Sequence, residues 1–122
     1  MYKLMILFRR LGNTLRMEER WSREFVPLAD KMPGLRRIAL SRITERAGGL
    51  VDLHMVHELY FDDLAALRHA MASPEGQAAG HALMAFASGK VDLYFAEHRE
   101  DDWPLHSQAA PEQNQPKAPK GT

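Results

Sequence analysis

The chain has no cysteine, so disulfides, thiolate catalysis and cysteine-ligated metal sites are excluded together. It has no charge excess either: sixteen basic and sixteen acidic residues cancel. Without a basic surplus there is no electrostatic footprint for nucleic acid or for an anionic membrane. Long apolar runs are missing too. The opening "MYKLMILFRR" is closed by Arg9-Arg10 and lacks a small-residue cleavage site, so it is too short to span a bilayer and reads as a strand. No glycine-rich phosphate loop and no Ser-His-Asp order occurs, which leaves nucleotide chemistry without support. These absences point to a cytoplasmic protein, and no cofactor is expected.

What is present is enough for one domain. Four of the seven prolines fall after Asp102, among Gln, Ala and Lys, where too little apolar surface is available to offset ordering entropy. Residues 1–102 are therefore read as the folded domain and 103–122 as a disordered tail.

The ordered part divides into six elements. "KLMILFRR" is nearly all apolar and reads as a strand buried on both faces. Asn13 can cap a helix in which Met17, Trp21, Phe25 and Leu28 form one stripe. Pro27 lacks an amide hydrogen, so this helix must kink or restart there, and Pro33-Gly34 ends it. Two strands follow around Ala47-Gly48-Gly49. Asp62 or Asp63 caps the next helix, with Leu64, Leu67 and Met71 on its apolar side. Ser73-Pro74-Glu75 restarts it, Leu83 and Phe86 continue the buried face, and Ser88-Gly89 stops it. "KVDLYFAEH" supplies a last strand. The order β-α-β-β-α-β predicts an α+β, ferredoxin-like domain with a four-stranded antiparallel sheet. Two helices cover only one face of such a sheet. Strands apolar on both sides therefore imply a homodimer through the sheet faces.

Strand alternation places Val56, Glu58 and Tyr60 on one face and His57, Leu59 and Phe61 on the other. Phe61 precedes the second helix and should pack beneath it, which leaves Glu58 and Tyr60 facing the sheet-lined cavity. A carboxylate in an apolar cavity suits proton transfer near neutral pH. The competing structural role pairs Glu58 with an arginine such as Arg42. His54 shares the parity of Glu58. His54 and His57 point to opposite faces, so they do not make a metal site, and none is expected. Trp21 and Phe25, one helical turn apart, are core or pocket wall. Tyr94 on the last strand can line the cavity beside Tyr60.

Three local patterns carry a family resemblance. "RWSREFVPLADKMPGLRR" resembles a stretch of tryptophan, a His-x-Pro-Leu step and Pro-Gly-Leu in the EthD family of the dimeric α/β-barrel superfamily. "HELYFDDLAAL" resembles its Glu-Leu-aromatic-Phe-Asp run, and "ASPEGQAA" its Ser-Pro-Glu-Gly helix restart. The resemblance implies two subunits whose sheets face each other across a small apolar cavity. EthD is associated with bacterial degradation of ethyl tert-butyl ether. Superfamily relatives include lactone isomerases, polyketide cyclases, cofactor-free monooxygenases and haem-degrading enzymes, among which fold alone does not choose.

Two departures stand out. Phe25 replaces the histidine common before x-Pro-Leu, and Ile38 replaces a tyrosine common after Pro-Gly-Leu. Both delete groups able to move a proton. The reading is thus a homodimer that binds a small apolar or aromatic molecule. If catalytic, it is a cofactor-free oxidoreductase (a monooxygenase) or an isomerase of a catabolic pathway. Glu58 and Tyr60 would do the chemistry, with Trp21, Phe25, Ile38, Arg42, His54, Val56 and Tyr94 around the ligand. The alternative is a ligand carrier or an accessory to an oxidoreductase system, with no chemistry of its own.

Overall fold

The structure is a computed structural model that describes residues 1–101. The proposed tail, 103–122, lies outside the described residues. Strand β1 (Tyr2–Arg9) leads into helix α1 (Thr14–Arg20), a π-helical turn (Trp21–Phe25) and the short helix α2 (Val26–Ala29). Strands β2 (Arg37–Arg42) and β3 (Leu53–Phe61) follow, then α3 (Leu64–Ala72), α4 (Pro74–Ala87) and β4 (Val91–Glu97). The strands form one sheet in the order β2-β3-β1-β4, every neighbour antiparallel. This is the ferredoxin-like α+β arrangement that the element order predicts. No helix among the described residues is long and apolar enough to cross a membrane.

Local chemistry sets the helix ends. The Asn13 side chain accepts from the Arg16 amide at 3.0 Å. Of the two aspartates before α3, Asp63 is the cap, accepting from the Ala66 amide at 2.8 Å, while Asp62 pairs with Arg36. Ser73 separates α3 from α4 in two ways at once. Its hydroxyl donates to the Ala70 carbonyl (2.6 Å) and accepts from the Gly76 amide (3.0 Å). Ser73→Ala is expected to lower stability by about 1 kcal/mol, since it removes a helix cap; the loss would appear as a lower urea midpoint.

Pro27 does what its missing amide requires. The chain widens into a π turn just before it, and the Val26 amide bonds the Trp21 carbonyl five residues back. The wider turn relieves the clash between the proline ring and the preceding carbonyls, then α2 restarts with Pro27 in its first turn. The extra residue in the turn also moves the buried stripe. It runs Met17, Trp21, Phe25, Ala29, while Leu28 is only half-buried, so the expected step from Phe25 to Leu28 is corrected to Ala29.

The helices all pack on one face of the sheet. Leu4, Ile6 and Phe8 of β1 and Met55, His57, Leu59 and Phe61 of β3 point into that core. Between them Lys3, Met5 and Leu7 face the other way and are not fully buried. In the single chain β1 is therefore not buried on both faces, as its composition suggested. The hairpin is also looser than the Gly-Gly signal implied: residues 43–52 join β2 to β3, with Gly48 and Gly49 both at positive φ.

Candidate functional site

The face of the sheet away from the helices is read directly from the strand register. Lys3 lies opposite Tyr60 and Ala96, Met5 opposite Glu58 and Tyr94, and Leu7 opposite Val56 and Asp92. On β2, Arg37, Ala39 and Ser41 lie opposite Tyr60, Glu58 and Val56. Antiparallel partners point to the same side. Val56, Glu58, Tyr60 and Tyr94 therefore share this outer face.

At its centre is a network built from β1 and β3. The Lys3 ammonium lies 2.7 Å from Glu58 Oε2, and both side chains are about six-sevenths buried, at 15% and 14% exposure. The Tyr60 hydroxyl donates to Glu58 Oε1 over 3.4 Å, a long contact. Lys3 Nζ lies 5.5 Å and the Arg37 guanidinium 4.4 Å from the centre of the Tyr60 ring, and His98 meets that ring edge-on at 4.7 Å. These neighbours bury Tyr60 although its face of the sheet is open. Burial pulls the Lys3 ammonium toward its neutral form, but hydrogen bonding to Glu58 and the nearby negative charge outweigh it, so its pKa is raised. Beside this corner, Met1, Arg37, His98 and Glu100 line an open cleft of about 290 Å³.

The competing structural pairing of Glu58 with an arginine is not the one found: its partner is Lys3. Arg42 lies in register with Met55, on the helix side of the sheet, and its Nε donates to Glu18 of α1 at 3.1 Å. Glu18 is held below the usual carboxylate range chiefly by that arginine, against its own partial burial. His54 also leaves the group assigned to it. The β1–β3 register slips between Phe8 and Arg9, so Phe8 faces Met55 and Arg9 faces Leu53. His54 is the extra residue of this bulge, and its Nε2 contacts Glu18 at 2.7 Å rather than the Glu58 network.

The remaining wall residues also lie on the helix side. Ile38 is in register with Leu59, on the face opposite Glu58, and stays 49% exposed along the edge strand. Trp21 and Phe25 are buried between the π turn and β3, where they enclose His57. The Trp21 indole donates to His57 Nδ1 at 3.1 Å, and the Phe25 ring packs edge-on at 5.8 Å. Burial pushes His57 down to about 4, only weakly opposed by Asp30. It is therefore neutral at pH 7, and because an indole only donates, its ring proton is assigned to Nε2.

The nine residues singled out from the sequence thus fall into two groups with the sheet between them. Glu58, Tyr60, Val56 and Tyr94 are together; Trp21, Phe25, Ile38, Arg42 and His54 are not with them. Lys3 was missed as part of the first group. Its signal was legible: it is the one charged residue between Met1 and Phe8, at the parity that faces away from the core. Chemically, the outer face offers a carboxylate able to accept a proton, an ammonium beside it and an apolar surround.

No protein-family model matches the chain. An uncharacterised 11.0 kDa protein of the thcB–thcC intergenic region of Rhodococcus erythropolis is 31% identical over 97 residues, 80% of this chain and 94% of that protein. The crystal structure of an ethyl tert-butyl ether degradation (EthD) family protein from Bacillus halodurans superposes with a TM-score of 0.77. It is 31% identical, covering 81% of this chain and 99% of that one. SnoaB, a cofactor-independent oxygenase from Streptomyces nogalater, shares the fold at 19% identity and a TM-score of 0.56, over 84% and 96% of the two chains. With identity of that level running nearly end to end through a domain of the same topology, the chain belongs to the EthD family.

Proposed function

We propose that this chain is a cytoplasmic homodimer that pairs through the outer faces of its sheets. Between them it binds a small, largely apolar or aromatic molecule of a catabolic pathway. One observation carries the reading. Met5, Leu7, Val56, Ala39 and Tyr94 form an uncovered apolar surface around the largely buried Glu58, with Tyr94 left 56% exposed. A second copy covers such a face at no cost in backbone hydrogen bonding, because the sheet's own ladders already satisfy it. Dimeric ferredoxin-like proteins from Bacteroides fragilis and a Jannaschia species share the fold at 20% identity, which supports the pairing.

In this reading Glu58 accepts a proton from the ligand and Tyr60 orients it. Chemistry of the isomerase or cofactor-free oxygenase type needs little more than a base, desolvation and an activated substrate. SnoaB, on the same fold, is an oxygenase without a cofactor. A second reading, a ligand carrier or accessory protein, is favoured by the ion pair with Lys3 that already engages Glu58. Light scattering on purified protein is expected to give twice the monomer mass, and a persistent monomer at micromolar concentration defeats the dimer. Glu58→Gln is expected to abolish turnover while the ligand still binds. Full turnover in that variant removes Glu58 from the chemistry, whereas a parent protein that binds the ligand without turning it over leaves the carrier reading.

A further inference from the structure

We infer that Lys3 contacts the ligand and that the molecule it selects is an acid, either an enolisable carbonyl compound or a phenol, whose oxyanion the ammonium holds. This rests on the reading of the outer sheet face as the ligand site and adds to it a substrate class and a residue.

The position of Lys3 is costly for a charged residue. It sits on a central strand, flanked by β3 and β4, with its side chain largely out of water. A pair of charges in such surroundings contributes less to stability than apolar side chains of the same volume, because both ions lose hydration. The neighbours on this face, Met5 and Leu7, are the kind of residue that packing alone would place there. The Lys3–Glu58 pair is therefore better explained by what it does than by what it holds together.

Its geometry suits a proton transfer that leaves an anion. An ammonium has three N–H donors, and Glu58 and the Tyr60 hydroxyl account for at most two. A third is available to an oxygen seated beside the carboxylate. The C–H or O–H proton of the ligand passes to a Glu58 oxygen, and the bonding pair stays on the ligand as an enolate or phenolate. Before the step the ammonium faces a carboxylate; afterwards it faces the oxyanion, with Glu58 neutral. One cation and one anion are present throughout, so the step creates no new charge in a water-poor site. An isomerisation is completed when Glu58 returns the proton to a different carbon, with no oxidant required. Arg37, which lies over the Tyr60 ring, is already tied to Glu100, so Lys3 is the cation set beside Glu58.

A neutral hydrocarbon gains nothing from Lys3, whereas an acidic group gains a charge-assisted hydrogen bond. The test uses two aromatic probes of nearly the same shape, 4-nitrophenol and 4-nitroanisole, with the full-length protein. The phenol is expected to bind about tenfold or more tighter than its methyl ether, the range of one hydrogen bond to a charged group. It is also expected to show the yellow phenolate absorption at a pH below its midpoint in free solution. Lys3→Arg should retain both effects and Lys3→Gln lose both, with circular dichroism checking that each variant folds. Equal binding of the two probes to the parent protein, with the bound phenol colourless, overturns the inference and leaves the ligand site standing; this comparison needs no variant to fold. An undiminished preference in folded Lys3→Gln overturns the role of Lys3. If neither probe binds, the ligand-site reading falls and the inference with it.

Discussion

Lowering the pH from 7 to 4.5 is expected to cost the folded state about 2 kcal/mol through His57 alone. The imidazole titrates near 4 in the fold against 6.5 in its ordinary state, because burial disfavours its charged form. Between those values the unfolded chain takes up a proton that the folded chain refuses. Stability is therefore complete above about pH 6.5, falls steadily as the pH drops toward 4, and loses nothing further to this group below that. The ion-paired carboxylates Glu18, Asp62, Asp92 and Glu100 have depressed pKa values and are lost only at lower pH, from the ordinary carboxylate range downward. The interval from pH 6.5 to 5 thus lies above the range in which these carboxylates are lost.

Urea unfolding followed by circular dichroism at several pH values measures the slope. A Trp21→Phe/His57→Leu double variant removes the titrating ring together with the indole donor that would otherwise be buried without an acceptor. Its stability should fall less steeply than the parent's from pH 6.5 to 5. A double variant that keeps the parent's slope would show that some other group carries it.

Gly76→Ala is expected to be the most overpacked glycine-to-alanine change among the described residues, costing about 3 kcal/mol or more, at the upper end of what overpacking does. A Cβ built there lies 2.0 Å from the Ala70 carbonyl oxygen and 2.9 Å from that of Met71. Both are backbone atoms at the end of α3, so no side-chain rotation makes room. Relief requires α4 to move away from α3, which would also separate Ser73 from the Gly76 amide and from the Ala70 carbonyl. By contrast Gly80, one turn on, has open space where its Cβ would go. Gly80→Ala should stabilise slightly through helix propensity. The two variants, compared by thermal unfolding, make the prediction specific. Equal melting temperatures would mean that α3 and α4 do not approach as closely as described.

This glycine shows how far a local pattern reaches. Ser-Pro-Glu-Gly is readable as a helix restart because a serine cap and a first-turn proline act within a few residues of chain. Why the fourth position must be glycine depends on where α3 ends, and that is set by the angle at which two helices meet over the sheet. Asn13, Asp63 and Pro27 are legible for the same local reason. The π turn before Pro27 is not, since a proline demands relief without specifying its form, and one extra residue in that turn moved the buried position from Leu28 to Ala29.

The candidate site divides along the same line. Alternation within β3 is a property of one strand, so the grouping of Val56, Glu58 and Tyr60 was available from sequence alone. The assignment of Ile38, Arg42 and His54 to that group was not, because it depends on how separate strands align. A shift of one residue in register exchanges the faces of a whole strand. The register of β2 put Ile38 and Arg42 on the helix side, and a single bulge took His54 from Glu58 to Glu18. Trp21 and Phe25 belong to a helix whose apolar stripe must meet the covered face of the sheet, so they were never able to line the uncovered one. The amino-acid sequence by itself determined the elements, their order and their caps. Which side chains meet across the sheet, including Lys3 with Glu58, was decided by long-range pairing, whose hydrogen bonds and packing exist only once distant segments have come together.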